Sequence, residues 1–464
     1  MTVVDAVVER FAHHSPVTLM ARLALQRTLD PAWIDEVFAQ HAQHQYVREL
    51  LFSTTVELMS LVAVGLRPSL HAAAQAAGAA LPVSITALYD KVNGTEPALV
   101  RALVAGSAQR LAPVMALLQR GKPALAPGWR VRILDGSHLA GSERRIKPLR
   151  GYRGAAMPGQ SLVVFDPDSA LVVDVVPAED AHVQERLLVA PLLQQAHRGE
   201  LWLADCNFST RAILRGWAAQ GACFIVREHG INAHPTPCGP LRPCGRIDTG
   251  TVAEQPVQLP PPEGQHGQPR ALRRIELTLD VPTEDGDTVV RLLTNLDAQD
   301  MDGCTVARLY RRRWSIEAMF QRLESVLHSE VASLGQPRAA LLAFGVAVLA
   351  YNVLAVLQAA VHARHASELA EVADVSLYYL ASEIRTHYAG MLVAVEARAW
   401  AAYEQLDATA LAQALLDIAA HVQPAQLRRH RRKAKPTAKK DYVSHREASR
   451  HVATARVLAR GRLD

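Results

Sequence analysis

With 464 residues, 49% of them hydrophobic and 20% charged, the chain can bury a large core and form more than one domain, which excludes a disordered or fibrous protein. Its five cysteines, at positions 206, 223, 238, 244 and 304, form no paired framework, so a reducing cytoplasm is expected rather than a disulfide-stapled secreted fold. The net charge is +5, yet Arg428 to Lys440, "RRHRRKAKPTAKK", holds eight Lys or Arg and no acid, which leaves the rest of the chain at −3.

The start, "MTVVDAVVERFAHHSPV", places Asp5 and Glu9 where a signal peptide needs an apolar run, so none is expected. Residues 1–125 read as a helical N-terminal domain. Apolar positions recur at spacings of three and four through "VRELLFSTTVELMSLVAVGL" and "ALVRALVAGSAQRLAPVMALL". Between them, "SLHAAAQAAGAALPVSITALYDKVNG" reads as a helix, a turn at Gly78 and a second helix opened by Ser84. That order suits a DNA-binding helix-turn-helix with Ser84, Thr86 and Lys91 facing the duplex. An ordinary helical hairpin fits the same pattern.

The Pro/Gly break "KPALAPGW" ends this region, and residues 126–228 follow as the first part of an α/β core. "WRVRILDGSHL" predicts a strand ending at Asp135, and "SLVVFDPDSALVVDVV" a hairpin around a Pro-Asp turn. "AHVQERLLVAPLLQQAH" predicts a helix, "ELWLADCNFS" a strand, "TRAILRGWAAQG" a helix and "CFIVRE" a strand. The order β-ββ-α-β-α-β gives a mixed sheet flanked by helices.

Residues 229–288 are rich in Pro and Gly and read as a β-rich insertion. Residues 289–425 return to the core with the strand "TVVRLLTNL", the helix of "YRRRWSIEAMF" and further C-terminal helices. The uncharged run Ala339 to Val361 is long enough to cross a bilayer. It is Ala-rich, carries Asn352 and Gln358 and has no companion, so it reads as a buried core helix and no membrane is expected. Residues 426–464 form a basic tail, in which Arg431, Arg432 and Lys433 are candidate DNA contacts. A solvated end without a partner has the same composition.

Three carboxylates stand out. Asp135 and Asp205 each close an apolar strand, and Glu317 lies on a helix. Hard oxygen ligands on separate rigid elements suit Mg²⁺ and can hold two ions about 4 Å apart. Asp166 and Asp168 in "FDPD" are better explained as turn chemistry. At about 100° per residue along one continuous helix, Tyr310, Arg313, Glu317 and Glu324 fall within about 60° of one another, beside the apolar stripe of Ile316, Met319, Phe320, Leu323 and Leu327. A phosphate could meet Tyr310 and Arg313 near a metal on Glu317; an internal Arg313–Glu317 pair at i, i+4 fits the same geometry.

At these residues the sequence resembles the bacterial insertion-sequence transposases of the DDE class, in the group with the signature Y-x2-R-x3-E-x6-K (IS-four type). Here the signature reads Tyr310, Arg313, Glu317 and then Glu324 in place of lysine. "LDGSHL", "LADCNFS" and "LLTNLD" agree with it, and the resemblance covers roughly residues 126–360. It implies an RNase H-like core with a β-rich insertion between the second Asp and the Glu. It implies DNA cleavage at transposon ends and strand transfer to target DNA, with two Mg²⁺ ions (Mn²⁺ as a substitute) on Asp135, Asp205 and Glu317. By the same resemblance Tyr310 and Arg313 are DNA-backbone contacts, the partners are terminal inverted repeats and target DNA, and a homodimer forms the synaptic complex, in the cytoplasm at the nucleoid. A carboxylate at position 324 is no substitute for a phosphate-binding ammonium, a task open to Arg322 or a tail lysine. Two rival readings remain: a domesticated, inactive DNA-binding derivative, for which Glu324 speaks, and a zinc-binding insertion built on His229, His234, Cys238 and Cys244.

Overall fold

The computed structural model describes residues 3–45, 49–139, 146–152, 154–283, 286–331, 333–369, 375–404, 406–428 and 451–460. Seven helices come first: α1 Val3–His14, α2 Pro16–Thr28, α3 Pro31–His41, α4 Phe52–Ala63, α5 Leu70–Ala77, α6 Ile85–Gly94 and α7 Pro97–Leu118. The sheet region follows with β1 Arg130–His138, β2 Ala155–Met157, β3 Gln160–Asp166, β4 Leu171–Ala178, α8 Ala190–Gln195, β5 Glu200–Ala204, α9 Arg211–Ala219 and β6 Cys223–Arg227. Next come β7 Thr236–Pro237, β8 Arg242–Ile247, β9 Gly250–Leu259, β10 Arg270–Leu279 and β11 Val289–Thr294. The remaining elements are α10 Gly303–Tyr310, α11 Ser315–Val326, α12 Pro337–Arg364, α13 Ala366–Leu369, α14 Leu377–Ala394, α15 Ala397–Glu404, α16 Ala408–Ala419, β12 His451–Ala453 and α17 Thr454–Arg460.

The expected mixed sheet flanked by helices is present. Its order is β4-β3-β1-β5-β6-β11-β10-β9-β7, with β8 also paired to β9. β1, β5 and β6 run parallel, while β3, β4 and the strands from β8 to β11 are antiparallel to their neighbours. The strands of the insertion therefore extend the core sheet through β11, which pairs with β6. The "FDPD" turn is local, as its composition predicts: Asp166 Oδ1 accepts the Asp168 and Ser169 N–H groups at 2.9 and 3.1 Å.

Strand periodicity divides the side chains between two faces. Val131, Ile133, Val163, Phe165, Leu201, Leu203 and Ile225 join the large core shared with the N-terminal and C-terminal helices. Leu134, Leu162, Val164, Trp202, Ala204 and Phe224 pack on the other side against Trp217, Leu214 and Leu192 of α9 and α8. The uncharged run proves to be the centre of the first layer: α12 is buried along its apolar span and packs on α7, α4, α2 and β4. Asn352, fully buried within it, donates to the Val172 carbonyl at 2.9 Å and accepts its N–H at 2.8 Å. This satisfies backbone groups of β4 at the edge of the sheet. Arg101 of α7 ties the same strand through a two-pronged pair with Asp174, at 3.0 and 2.6 Å.

Two expected elements differ. The segment "AHVQERLLVAPLLQQAH" holds only a 3₁₀ turn, Glu185–Leu187, and the short α8, because Pro191 and the solvated residues before it leave little apolar face to bury. The "YRRRWSIEAMF" segment is not one continuous helix either. A 3₁₀ turn, Arg311–Trp314, separates α10 from α11, so the 100° spacing does not hold across Tyr310 to Glu317.

Candidate active site

Asp135 stands where the sheet opens. Parallel pairing of β1 with β5 ends at Leu134 opposite Ala204, while β1 continues to His138 on its pairing with β3 alone. The expected end of the strand at Asp135 is thus the end of one ladder, not of the strand. Asp135 and Asp205 lie one residue past that register pair on adjacent strands. By the two-residue period both continue the Val131–Ile133 and Leu201–Leu203 face, on which α11 lies. Local bonds fix each backbone. Asp135 Oδ1 accepts the Gly136 N–H at 3.0 Å, and Asp205 caps the turn Cys206–Phe208 by accepting the Asn207 N–H at 2.8 Å.

Glu317 comes from the facing helix. Ile316, Met319, Leu323 and Val326 bury one face of α11, which packs on β1, and Glu317 sits in its first turn, where a negative charge suits the helix dipole. Arg313 joins the helix to the sheet. Its Nη1 donates to Asp135 Oδ2 at 2.9 Å and its Nη2 to Glu317 Oε1 at 3.2 Å. Only 9% exposed, it stacks beside Trp314 with its Cζ 5.2 Å from the ring centre. The internal Arg313–Glu317 pair therefore exists, but as half of a bridge.

The electrostatics follow from this crowding. Burial pushes the Asp135 carboxyl up to about 6; Arg313 opposes the rise, and the neighbouring Asp205 and Glu185 add to it. Burial would lower the Arg313 guanidinium, but Tyr310 and the acids Asp135, Asp205 and Glu317 outweigh it and hold it above its usual value. Burial also raises the Tyr310 hydroxyl above its ordinary range.

The other predicted contacts are scattered. Tyr310 is 8% exposed, under the site rather than on its rim. Arg322 is partly buried and hydrogen-bonded to Tyr351 of α12. Glu324 is exposed and lines a side cavity of about 260 Å³ with Ser137, His138 and Ser329. In the N-terminal region the helix, turn and capped second helix form as expected, with Ser84 accepting the Ala87 N–H at 3.2 Å. Ser84 and Thr86 are exposed, but Lys91 is partly buried with its ammonium 3.8 Å from the centre of the Phe38 ring. Arg431, Arg432 and Lys433 lie outside the described residues.

Sequence reasoning passed over Glu185. Its carboxylate lies so close to Gly136 that a Cβ at that glycine would fall 1.9 Å from Glu185 Oε1. Its Oε2 accepts from Asn207 Nδ2 at 3.0 Å, which links it to the Asp205 turn. Glu185 and Asn207 also line an open cleft of about 840 Å³ beside the carboxylates, with His138, His182, His229 and Asn232. No spacing in the sequence marks Glu185, because only the fold brings it to Asp135.

The donor set suits a hard divalent cation. Carboxylate oxygens are offered from β1, the β5 edge and α11, and such hard donors on separate rigid elements are the kind that Mg²⁺ prefers. Among the described residues, however, no three His, Cys, Asp or Glu side chains are gathered closely enough to hold an ion. The Arg313 guanidinium stands between Asp135 and Glu317. Nor do the described residues of the insertion bring His229, His234, Cys238 and Cys244 into a zinc-like group.

No curated protein matches the chain. Residues 127–353, just under half of its length, match the family model described as a transposase DDE domain. The match begins at the approach to β1, ends inside α12 and contains all three predicted carboxylates. Over these residues the chain is similar to a transposase DDE domain, in keeping with its RNase H-like mixed sheet flanked by helices.

Proposed function

We propose that this protein is a DNA transposase of the YREK-signature group (IS-four type) that cuts the ends of an insertion sequence and joins them to target DNA. The observation that carries the reading is the bridge at Arg313. One guanidinium touches Asp135 and Glu317, residues 182 positions apart in sequence, while Asp205 stands beside Asp135 across a parallel ladder. Asp135, Asp205 and Glu317 would hold two Mg²⁺ ions, with Mn²⁺ as a substitute. Bound ions of this kind activate an attacking oxygen and stabilise the leaving one. The chain itself supplies the rest. The Gly136 N–H and the Asp205 cap fix the carboxylates, and buried Tyr310 and α11 close the site from below. The cleft lined by His138, Asn207 and Asn232 leaves it open to a DNA strand.

The wider assembly belongs to the same reading. The exposed Ser84 and Thr86 face would read terminal inverted repeats, the tail residues Arg431, Arg432 and Lys433 would add backbone affinity, and two copies would pair the ends in the cytoplasm. Arg313 would reach DNA only after leaving the acids. A domesticated, inactive DNA-binding derivative is the second reading; Glu324, exposed where the signature has lysine, favours it. Nicking of an end-bearing duplex in Mg²⁺ separates the two. Asp135→Asn, Asp205→Asn and Glu317→Gln should each abolish nicking and preserve end binding. Full activity in any one removes that residue from the site, and end binding without nicking by the unaltered chain establishes the inactive form.

A further inference from the structure

Asp135 has both carboxylate oxygens engaged: Oδ1 by the Gly136 N–H and Oδ2 by Arg313 Nη1. The first bond is built into the backbone of β1. The second comes from a side chain of the facing segment, the one of the two partners that can swing away from Asp135. Arg313 in turn depends on the acids. Among the described residues its hydrogen bonds go only to Asp135 and Glu317, and its buried Nε has no partner.

We propose that Arg313 is a positioning residue that serves as a resident counter-ion: it draws Asp135 and Glu317 together before a divalent ion binds, and is displaced when the ion takes the same oxygens. The inference rests on the three-carboxylate reading given under Proposed function. Without a cation between them, Asp135, Glu317 and the neighbouring Asp205 repel one another and α11 is pushed from β1. A planar fork with one nitrogen for each acid offsets this repulsion, and a lysine cannot span both. An Mg²⁺ ion on the same oxygens, at roughly 2.0–2.1 Å from them, would stand within a few ångströms of the guanidinium, and the two like charges repel, so the two cations compete for one place. The displaced side chain has a route outward. Trp314, against which it stacks, is 60% exposed, so a guanidinium sliding along that ring reaches the surface where a phosphate would lie. One arginine would then serve in turn as counter-ion and DNA contact, and cleavage chemistry would be coupled to phosphate capture.

The test is Mn²⁺ binding by the full chain without DNA, with free Mn²⁺ read by electron paramagnetic resonance. Arg313→Gln removes the competitor and should bind Mn²⁺ about tenfold tighter, the equivalent of roughly 1.4 kcal/mol. Its melting temperature without metal should fall and be restored by Mn²⁺. Arg313→Lys keeps the charge and loses the fork, so its affinity should lie between the two. Equal or weaker Mn²⁺ binding by Arg313→Gln overturns the inference, since it makes Arg313 a permanent scaffold. Should that variant fail to fold, Arg313→Lys decides: binding tighter than the unaltered chain supports displacement, and unchanged or weaker binding overturns it. Asp135→Asn is the control for the underlying reading. If it binds Mn²⁺ as tightly as the unaltered chain, the three-carboxylate site itself fails, and this inference with it.

Discussion

Asp135 and Asp205 stand side by side because Leu134 and Ala204 are the last partners in the parallel ladder between β1 and β5. The same register sends both acids to the face covered by α11, where Arg313 waits. Burial then raises the Asp135 carboxyl to about 6, and this gives the site its pH dependence.

The sign follows from which state holds the proton. Below about pH 4 Asp135 is protonated both folded and unfolded, so the group contributes nothing to the slope. Between about 4 and 6 the unfolded chain loses this proton while the folded chain keeps it, so stability falls as pH rises through that window. The loss for a shift of this size is at most roughly 3 kcal/mol. Denaturant unfolding without metal should show this decline, and Asp135→Asn should flatten it. Divalent ions, which require the ionised carboxylate, should bind more weakly below pH 6, by up to about tenfold per pH unit.

Trp314, next to Arg313 and three residues before Glu317, is 60% exposed. Two arginines of the insertion are already engaged: Arg273 is held by Glu254 at 2.7 Å and Arg274 by Glu228 at 2.7 Å, so neither is free to lie on a base. If strand cleavage passes through a DNA hairpin with a flipped base, that base should stack on Trp314, at about 1–3 kcal/mol. Trp314→Ala should reduce the slow-migrating hairpin on a denaturing gel, while Arg273→Ala and Arg274→Ala should not act by loss of stacking. An undiminished hairpin in Trp314→Ala removes the stacking role.

The basic run calls for a charge change rather than a truncation. Residues beyond it pack on the core, with β12 pairing with β2 and Arg456 bonded to Asp180 at 2.7 Å. Replacing Arg431, Arg432 and Lys433 by Gln should lower the slope of log affinity against log salt by about 0.9 for each DNA phosphate that is no longer neutralised, with specificity for the ends retained. An unaltered slope takes these three residues out of DNA binding.

Asn352 carries stability rather than chemistry. Asn352→Leu removes the amide, adds bulk at a fully buried position and strands the Val172 N–H and C=O groups in a dry interface. The cost should be about 2–3 kcal/mol in equilibrium unfolding, with metal binding unaffected in the folded protein.

Much of this was legible in the chain. The succession of β1, β3, β4, β5 and β6 along the chain followed from apolar runs and their punctuation, because period and turn chemistry are local properties; the short β2 went unread. The carboxylates Asp135, Asp205 and Glu317 were visible for the same reason: each ends or borders an apolar run, so its own element fixes which way it faces. The uncharged span of α12 could be read as core from its Ala, Asn352 and Gln358.

Other features depended on separations that no local pattern reports. The 3₁₀ turn at Arg311–Trp314 breaks what the sequence presents as one helix, because α10 packs on β8, β9 and β10 while α11 packs on β1. Lys91 turns to the Phe38 ring instead of outward, since the apolar stem finds cover there. Glu185 reaches Asp135 only through the bare Cα of Gly136, and Arg313 reaches it only across the helix–sheet interface. By itself the sequence determined which residues carry charge and on which elements they lie. Which charges face each other was decided by strand register and helix docking, because electrostatic energy depends on distances that only the closed core sets.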